Sequence, residues 1–372
     1  MSRRQKIKQA LRVIVAVVVA VGLVFAARTS IKQWNAQTRI AEREVAEWDA
    51  RIQRHSGSTI TSKHSMAELL DQRDAAARQV PHLRNLNPWL IGAAGLFYAA
   101  GLLPGGWVLA ESSRLLGQPI KLLPAMRAQV IGHVGKYVPG KAMVVAMRAE
   151  QLTTHGVSMA TAVIAVFIET LLMMAVGASL AGTLVFWLPV PSWVAWTSLL
   201  GGLAVCVPTV PPLMQRILRR FQIGVADGKP VDSMVSWRFF LLGWCGQILA
   251  WLLIGSALTC LMFCLPMPML TSSIAVAWMA GVAAIALAMV AGFASLLPGG
   301  AGVRELALTM VLSPVVGVSG ALLAAILARL LFIVVEVLMA GVSLMVGNSH
   351  RDRGRIAAEP AGRSGVANDT IG

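Results

Sequence analysis

Apolar positions in this chain gather in long unbroken runs, not in the alternating or three-four stripes of soluble strands and helices. The runs are Val13–Ala27, Trp89–Ala110, Ser158–Leu188, Trp193–Leu213, Phe239–Phe263, Ser272–Ala294, Leu306–Val318 and Ala321–Val346. A helix needs about 20 apolar residues to cross some 30 Å of hydrocarbon, and most of these runs have that length. The pattern predicts an all-α polytopic membrane bundle with about eight spans. Two of them are irregular. Val13–Ala27 fits the core of a signal peptide, with Ala26 at a cleavage position, or an uncleaved anchor lengthened by snorkelling Arg12 and Arg28. The anchor is the reading adopted. Leu306–Val318 is too short for a simple span and predicts a re-entrant segment or half of a broken helix. An outer-membrane barrel is disfavoured, because its strands would alternate with period two.

Between the first two runs the pattern changes. Ile31, Trp34, Thr38, Ala41, Val45, Trp48 and Ile52 follow a three-four repeat, the seam of an amphipathic helix. His55–Ser65 is rich in Ser, Thr and Gly and reads as a turn. Met66, Leu69, Leu70, Arg73, Ala77 and Val80 suit a returning helix that Pro81 ends. Segment 28–87 is therefore expected to be an external helical hairpin, standing roughly 35–40 Å out at about 1.5 Å per residue. It serves either as a self-packed spacer or as an arm for self-association or for a partner in envelope-lipid biosynthesis. The expected division is 1–27 for the cytoplasmic end and first span, 28–87 for the hairpin, 88–346 for the membrane domain and 347–372 for a disordered tail.

Composition removes the soluble alternative. Of 372 residues, 56% are hydrophobic and 13% charged, against about 25% charged in globular domains. Mean hydropathy is +0.70. The net charge of +15 would suggest nucleic acid in a soluble protein. Here it has another source, and no nucleic-acid partner is expected. With the N-terminus inside, stretches 1–12, 111–157, 214–238 and 348–372 carry 20 Lys and Arg against seven acids. Segment 28–84 carries ten against seven. This is a positive-inside pattern and predicts a multi-pass protein of the inner (cytoplasmic) membrane with both termini cytoplasmic. The cysteines Cys206, Cys245, Cys260 and Cys264 lie in or beside apolar runs without a supporting His or Cys pair, so no metal and no cofactor are expected.

Polar residues inside the apolar part carry the functional reading. Gly135–Ala142 matches a nucleotide phosphate loop up to its last position, where Ala142 replaces the hydroxyl residue that would hold magnesium. No strand is predicted ahead of it, so a nucleotide site is not expected. Lys141, Arg148 and His155 are spaced by seven and define one helical stripe behind the Pro139-Gly140 break. Two readings stay open: an interfacial helix on anionic head groups, or a break at membrane depth where Lys side chains and freed N–H groups hold a phosphate.

A second break, Pro298-Gly299-Gly300, precedes Arg304 and Glu305. Arg329 and Glu336 lie seven apart in an apolar run, and Glu169 sits among Phe167, Ile168, Leu171 and Leu172. Each such charge costs at least ~2.5 kcal/mol at the bilayer centre. Their role is either a structural ion-pair network or a head-group or proton pathway. The two regions resemble each other: Pro139 is followed by Arg148, Gly156 and Glu169, and Pro298 by Arg304, Gly317 and Arg329 at similar intervals. Duplicated broken helices are how many transporters build a site, here as a parallel or an inverted repeat. The charge map puts both breaks nearest the cytoplasmic face.

The run from Gly132 through Lys136, Pro139, Gly140 and Lys141 to Arg148, with Gly156 and Glu169, resembles the membrane region of lysylphosphatidylglycerol synthases. So does Leu297–Ala307, with its Pro298-Gly299-Gly300, Gly302 and Arg304-Glu305. Residues 88–346 look like a stand-alone, flippase-like member of that family, and no aminoacyl-transferase domain is expected after residue 350. The resemblance implies translocation of a phospholipid, or a lipid with a modified or glycosylated head group, between leaflets without ATP hydrolysis. Its substrate groove would draw on Lys136, Pro139, Gly140, Lys141, Arg148, Glu169, Pro298, Gly299, Gly300, Arg304, Glu305, Arg329 and Glu336, with anionic membrane lipids as partners. The alternatives are a non-transporting scaffold in envelope-lipid biosynthesis and a membrane-embedded lipid-modifying transferase. The last is weakened because no paired carboxylates or His/Cys constellation stands out.

Overall fold

The computed structural model describes residues 3–56, 63–78, 80–81, 85–137, 142–220, 225–226, 229–230, 235–266, 269–270, 273–295 and 302–357. Apolar runs become helices because a chain in lipid must satisfy its backbone hydrogen bonds internally. The helices are α1 (Arg3–Ser56), α2 (Lys63–Arg78), α3 (Pro88–Leu115), α4 (Leu122–Val134), α5 (Ala142–Thr153), α6 (Met159–Leu184), α7 (Ser192–Cys206), α8 (Pro211–Arg220), α9 (Trp237–Cys264), α10 (Ile274–Ala294) and α11 (Val303–Ala357). Two two-residue strands, Val225–Ala226 and Lys229–Pro230, pair between α8 and α9. Among the described residues six helical segments are long and apolar enough to cross a membrane: 88–115, 159–187, 192–209, 237–264, 274–294 and 303–345.

Several starts are written in the sequence. Asn87 accepts from the Trp89 amide with Pro88 in the first turn, and Ser158, Ser236 and Ser273 cap α6, α9 and α10. Small residues then let helices touch. A Cβ on Gly255 would lie 2.6 Å from Val282 Cα, and one on Gly202 2.7 Å from the Ala178 carbonyl oxygen.

Two places fold back within the bundle. α11 breaks at Gly317, whose φ of 73° suits only glycine. Glu305 and Arg329 on either side of the break touch at 3.0 Å, although a straight helix would hold them about 36 Å apart. So 303–316 is a short arm lying antiparallel to the rest of α11. At ~21 Å it cannot cross the hydrocarbon alone, and the short run Leu306–Val318 is thereby accounted for. α4 and α5 form the second fold-back. Gly132 abuts Arg148 and Gly135 abuts Val144, so the two helices are antiparallel, with Gly135–Tyr137 at the tip where α4 ends. Gly135–Tyr137 at this tip is a 3₁₀ turn that follows a helix, not the strand a nucleotide loop needs.

Within stretch 111–157, expected to carry a polar helix either at the interface or at membrane depth, α4 and α5 pack into the bundle and bury Gln129 and Arg148. A 13-residue helix interrupted by Pro124 and Arg127 lacks the length that marks a span, which hid it. α1 runs unbroken from Arg3 through the first apolar run to Ser56, with no Pro to stop it. The tail is helical through Ala357, as its Arg and Ala content allows, and 358–372 lie outside the described residues.

α1 and α2 pack as a hairpin, tied by Arg73–Asp49 at 3.0 Å and by Thr38 to the Pro81 carbonyl. Trp34 and Val80 are buried, while Ile31 is half exposed and leaves the seam. Trp34 joins the core at the bundle end that also holds Leu86, Leu188 and Leu265.

Candidate functional site

The site begins with depth. Tyr98, Glu169 and Gln247 each lie ten positions, or about 15 Å, from the start of α3, α6 and α9, so they sit near the middle of helices 26 to 28 residues long. At this level the two fold-backs meet.

The first fold-back supplies Arg148, which donates to Glu169 Oε2 at 2.8 Å. Both are buried. Gln129 and Gln247 each donate to Glu169 Oε1 at 3.2 Å, and Thr170 Oγ donates to Oε2 at 3.4 Å. Arg148 also approaches His133 Nε2 at 3.4 Å. Backbone space is fitted to this cluster, since a Cβ on Gly132 would lie 2.2 Å from Arg148 Cγ and one on Gly105 2.4 Å from Gln129 Nε2. The Gln129 Oε1 and Arg148 Nε atoms stay buried without a hydrogen bond among the described residues.

Lys136, on the tip turn, donates to Glu336 of α11, and Tyr98 donates to the same carboxylate oxygen. The Tyr98 ring stacks on Phe332 at 3.7 Å. The second fold-back supplies Glu305, which pairs with Arg329 and accepts from the Gly302 amide at 2.7 Å, capping the short arm. Arg304 is different. Its guanidinium meets the Met289 sulfur, and among the described residues no carboxylate lies within 4.0 Å of it.

Lys136, Tyr137, Arg304, Glu305, Arg329 and Phe332 line one cavity of about 50 Å³, room for several waters. Gln129, His133, Glu169, Gln247, Met289 and Phe332 line a neighbouring one of about 30 Å³. Phe332 belongs to both, and Met289 separates Arg304 from the second. Glu336, Glu169 and Glu305 answer Lys136, Arg148 and Arg329, which leaves one formal positive charge over, on Arg304.

The seven charged candidates among the described residues therefore converge, and Lys136 joins the two regions. Pro139, Gly140, Lys141, Pro298, Gly299 and Gly300 lie outside the described residues. The Lys141, Arg148, His155 stripe does not persist as one face, because α5 ends at Thr153 and His155 is exposed in the turn beyond it. Tyr98, Gln129, His133, Gln247 and Phe332 were not singled out from sequence. One signal was available: the chain has only two tyrosines, and both are at this site.

The internal resemblance acquires a geometry. In each half a short arm follows the break, a glycine with positive φ turns the chain (Gly156 at 89°, Gly317 at 73°), and a long helix returns. A buried or half-buried ion pair joins arm to helix, Arg148–Glu169 in one and Glu305–Arg329 in the other, with the signs exchanged. Gly156 turns beside the α3–α4 connection, where the Ser158 amide donates to Gln118. Gly317 turns at the opposite end, where the Leu270 amide donates to Val315. The repeat is thus inverted; the breaks themselves lie outside the described residues.

No curated protein matches this chain. The family of the lysylphosphatidylglycerol synthase TM region matches residues 74–340, which span both fold-backs and every charged residue of the site. This multi-pass membrane protein belongs to the lysylphosphatidylglycerol synthase TM region family.

Proposed function

We propose that this protein translocates an anionic phospholipid, or a lipid with a modified phosphate-bearing head group, between the leaflets of the cytoplasmic membrane. The observation that carries this reading is Arg304: a guanidinium at the meeting point of an inverted pair of broken helices, lining a cavity with Lys136, Glu305 and Arg329, with no carboxylate partner among the described residues. Charges at membrane depth are paired or face a cavity, and an unpaired one asks for an anion. A lipid phosphate answers it and leaves the other three pairs intact. Inverted broken-helix repeats with a site at the midplane are an architecture of transporters, and the cavity would shelter a head group while the tails stay in lipid. The positive-inside charge pattern supports both termini on the cytoplasmic side.

The test uses proteoliposomes with tail-labelled fluorescent lipids and an impermeant quencher. Wild type should expose inner-leaflet phosphatidylglycerol faster than protein-free vesicles do, and phosphatidylcholine no faster. Equal rates with and without protein for every lipid would remove the translocase reading.

A further inference from the structure

The smaller cavity carries more than a structural ion pair. Glu169 is saturated: Gln129, Gln247, Arg148 and Thr170 occupy both of its oxygens. Its charge is matched by Arg148, so the cluster is neutral. What remains unmet is Gln129 Oε1, an uncharged acceptor on a side chain only 2% exposed that lines the cavity, and in the same cluster the donor Arg148 Nε. Buried polar atoms without partners are few in native proteins, and each calls for an explanation.

We infer that this cavity is a subsite for a hydroxyl group of the translocated head group, beside the phosphate at Arg304. This rests on the translocase reading and narrows its substrate to phosphodiesters with hydroxyl-bearing, non-aminated head groups. A hydroxyl donates to Gln129 Oε1, the unmet acceptor in the cavity wall, without bringing a charge, while every Glu169 oxygen is already occupied. Bringing an ammonium into a neutral, buried cluster would also strand a charge. At about 30 Å³ the cavity takes two or three waters or one hydroxymethyl arm. Access runs past Met289, which touches Arg304 on one side and lines the subsite on the other. An unbranched thioether is well suited to swing out of such a path.

The experiment compares phosphatidylglycerol, phosphatidic acid, phosphatidylethanolamine and lysyl-phosphatidylglycerol. Translocation is read in proteoliposomes, and binding is read in detergent by competition with short-chain lipids. Wild type should prefer phosphatidylglycerol over phosphatidic acid by about tenfold, the worth of one buried hydrogen bond left unmade. Gln129→Leu should bring that ratio to about one, and Gln129→Glu, which adds a carboxylate, should shift preference toward the two aminated lipids. A wild type that prefers aminated lipids, or a ratio unchanged in both variants, overturns the subsite. Preferential binding of phosphatidylglycerol without translocation would instead sink the translocase reading and leave the subsite standing.

Discussion

The two halves of the inverted repeat solve the same problem differently. Around α4, α5 and α6 the cation is enclosed: Arg148 and Glu169 are buried and held by two glutamines, and two glycines leave them room. Around the start of α11 the pair Glu305–Arg329 is about one quarter exposed on each side, and Arg304 beside it meets a thioether and, among the described residues, no carboxylate. Removing one partner of an enclosed pair strands a charge, whereas an open pair can exchange partners with solvent or a ligand. On the proposed function the first half is thus the rigid wall of the site and the second the face that would meet an anion.

The largest expected effect tests the wall. Glu169→Ala should destabilise the protein by about 3–5 kcal/mol, because it leaves Arg148 buried without a counter-charge. Arg148→Ala in the same background should recover part of that loss in a thermal or denaturant melt in detergent. A Glu169→Ala protein that melts like wild type would mean that the first half is as open as the second.

Space comes next. Gly132→Ala puts a Cβ against Arg148 Cγ and should cost about 1–3 kcal/mol by overpacking, visible in the same melt. Gly317→Ala meets open space and pays only for its backbone, whose φ of 73° and ψ of 166° fall in a region essentially confined to glycine, about 1–3 kcal/mol, and Gly317→Asn should cost as much. An asparagine variant as stable as wild type would argue against that backbone conformation.

The smallest effect belongs to the open pair. Glu305→Gln should change stability by about 1 kcal/mol or less and lower translocation only severalfold, since Arg329 can turn to solvent or to the bound anion. A collapse of stability on that change would place Glu305 with Glu169, and the contrast between the halves would fail.

This contrast was partly legible in the sequence. Glu169, Arg329 and Glu336 stand out because a charge in an apolar helix is expensive, and Pro-Gly breaks announce themselves. Their pairing was not legible, because it depends on the chain folding back at Gly156 and Gly317. The sign of φ at those glycines is a matter of tertiary context. Gln129 was hidden for another reason: α4 is too short to read as a span, so a polar residue in it resembled an ordinary loop residue. Tyr98 and Phe332 look like membrane aromatics until the stack between the cavities gives them a place. The helical hairpin was the easiest part, since Trp34, Thr38, Val45 and Trp48 repeat at helical spacing over many turns. Its first helix runs on from the first apolar run because helix propensity, unlike charge and apolarity, does not change abruptly at Arg28.

The central claim is that Arg304, without a carboxylate partner among the described residues, takes the lipid phosphate. The most direct measurement compares wild type, Arg304→Ala and Arg304→Lys for phosphatidylglycerol translocation in proteoliposomes, with a melt of each protein alongside. The account predicts that Arg304→Ala falls to the protein-free rate while its melting temperature stays within about 2 °C of wild type, and that Arg304→Lys keeps part of the activity. Wild-type translocation by a stably folded Arg304→Ala protein would contradict it.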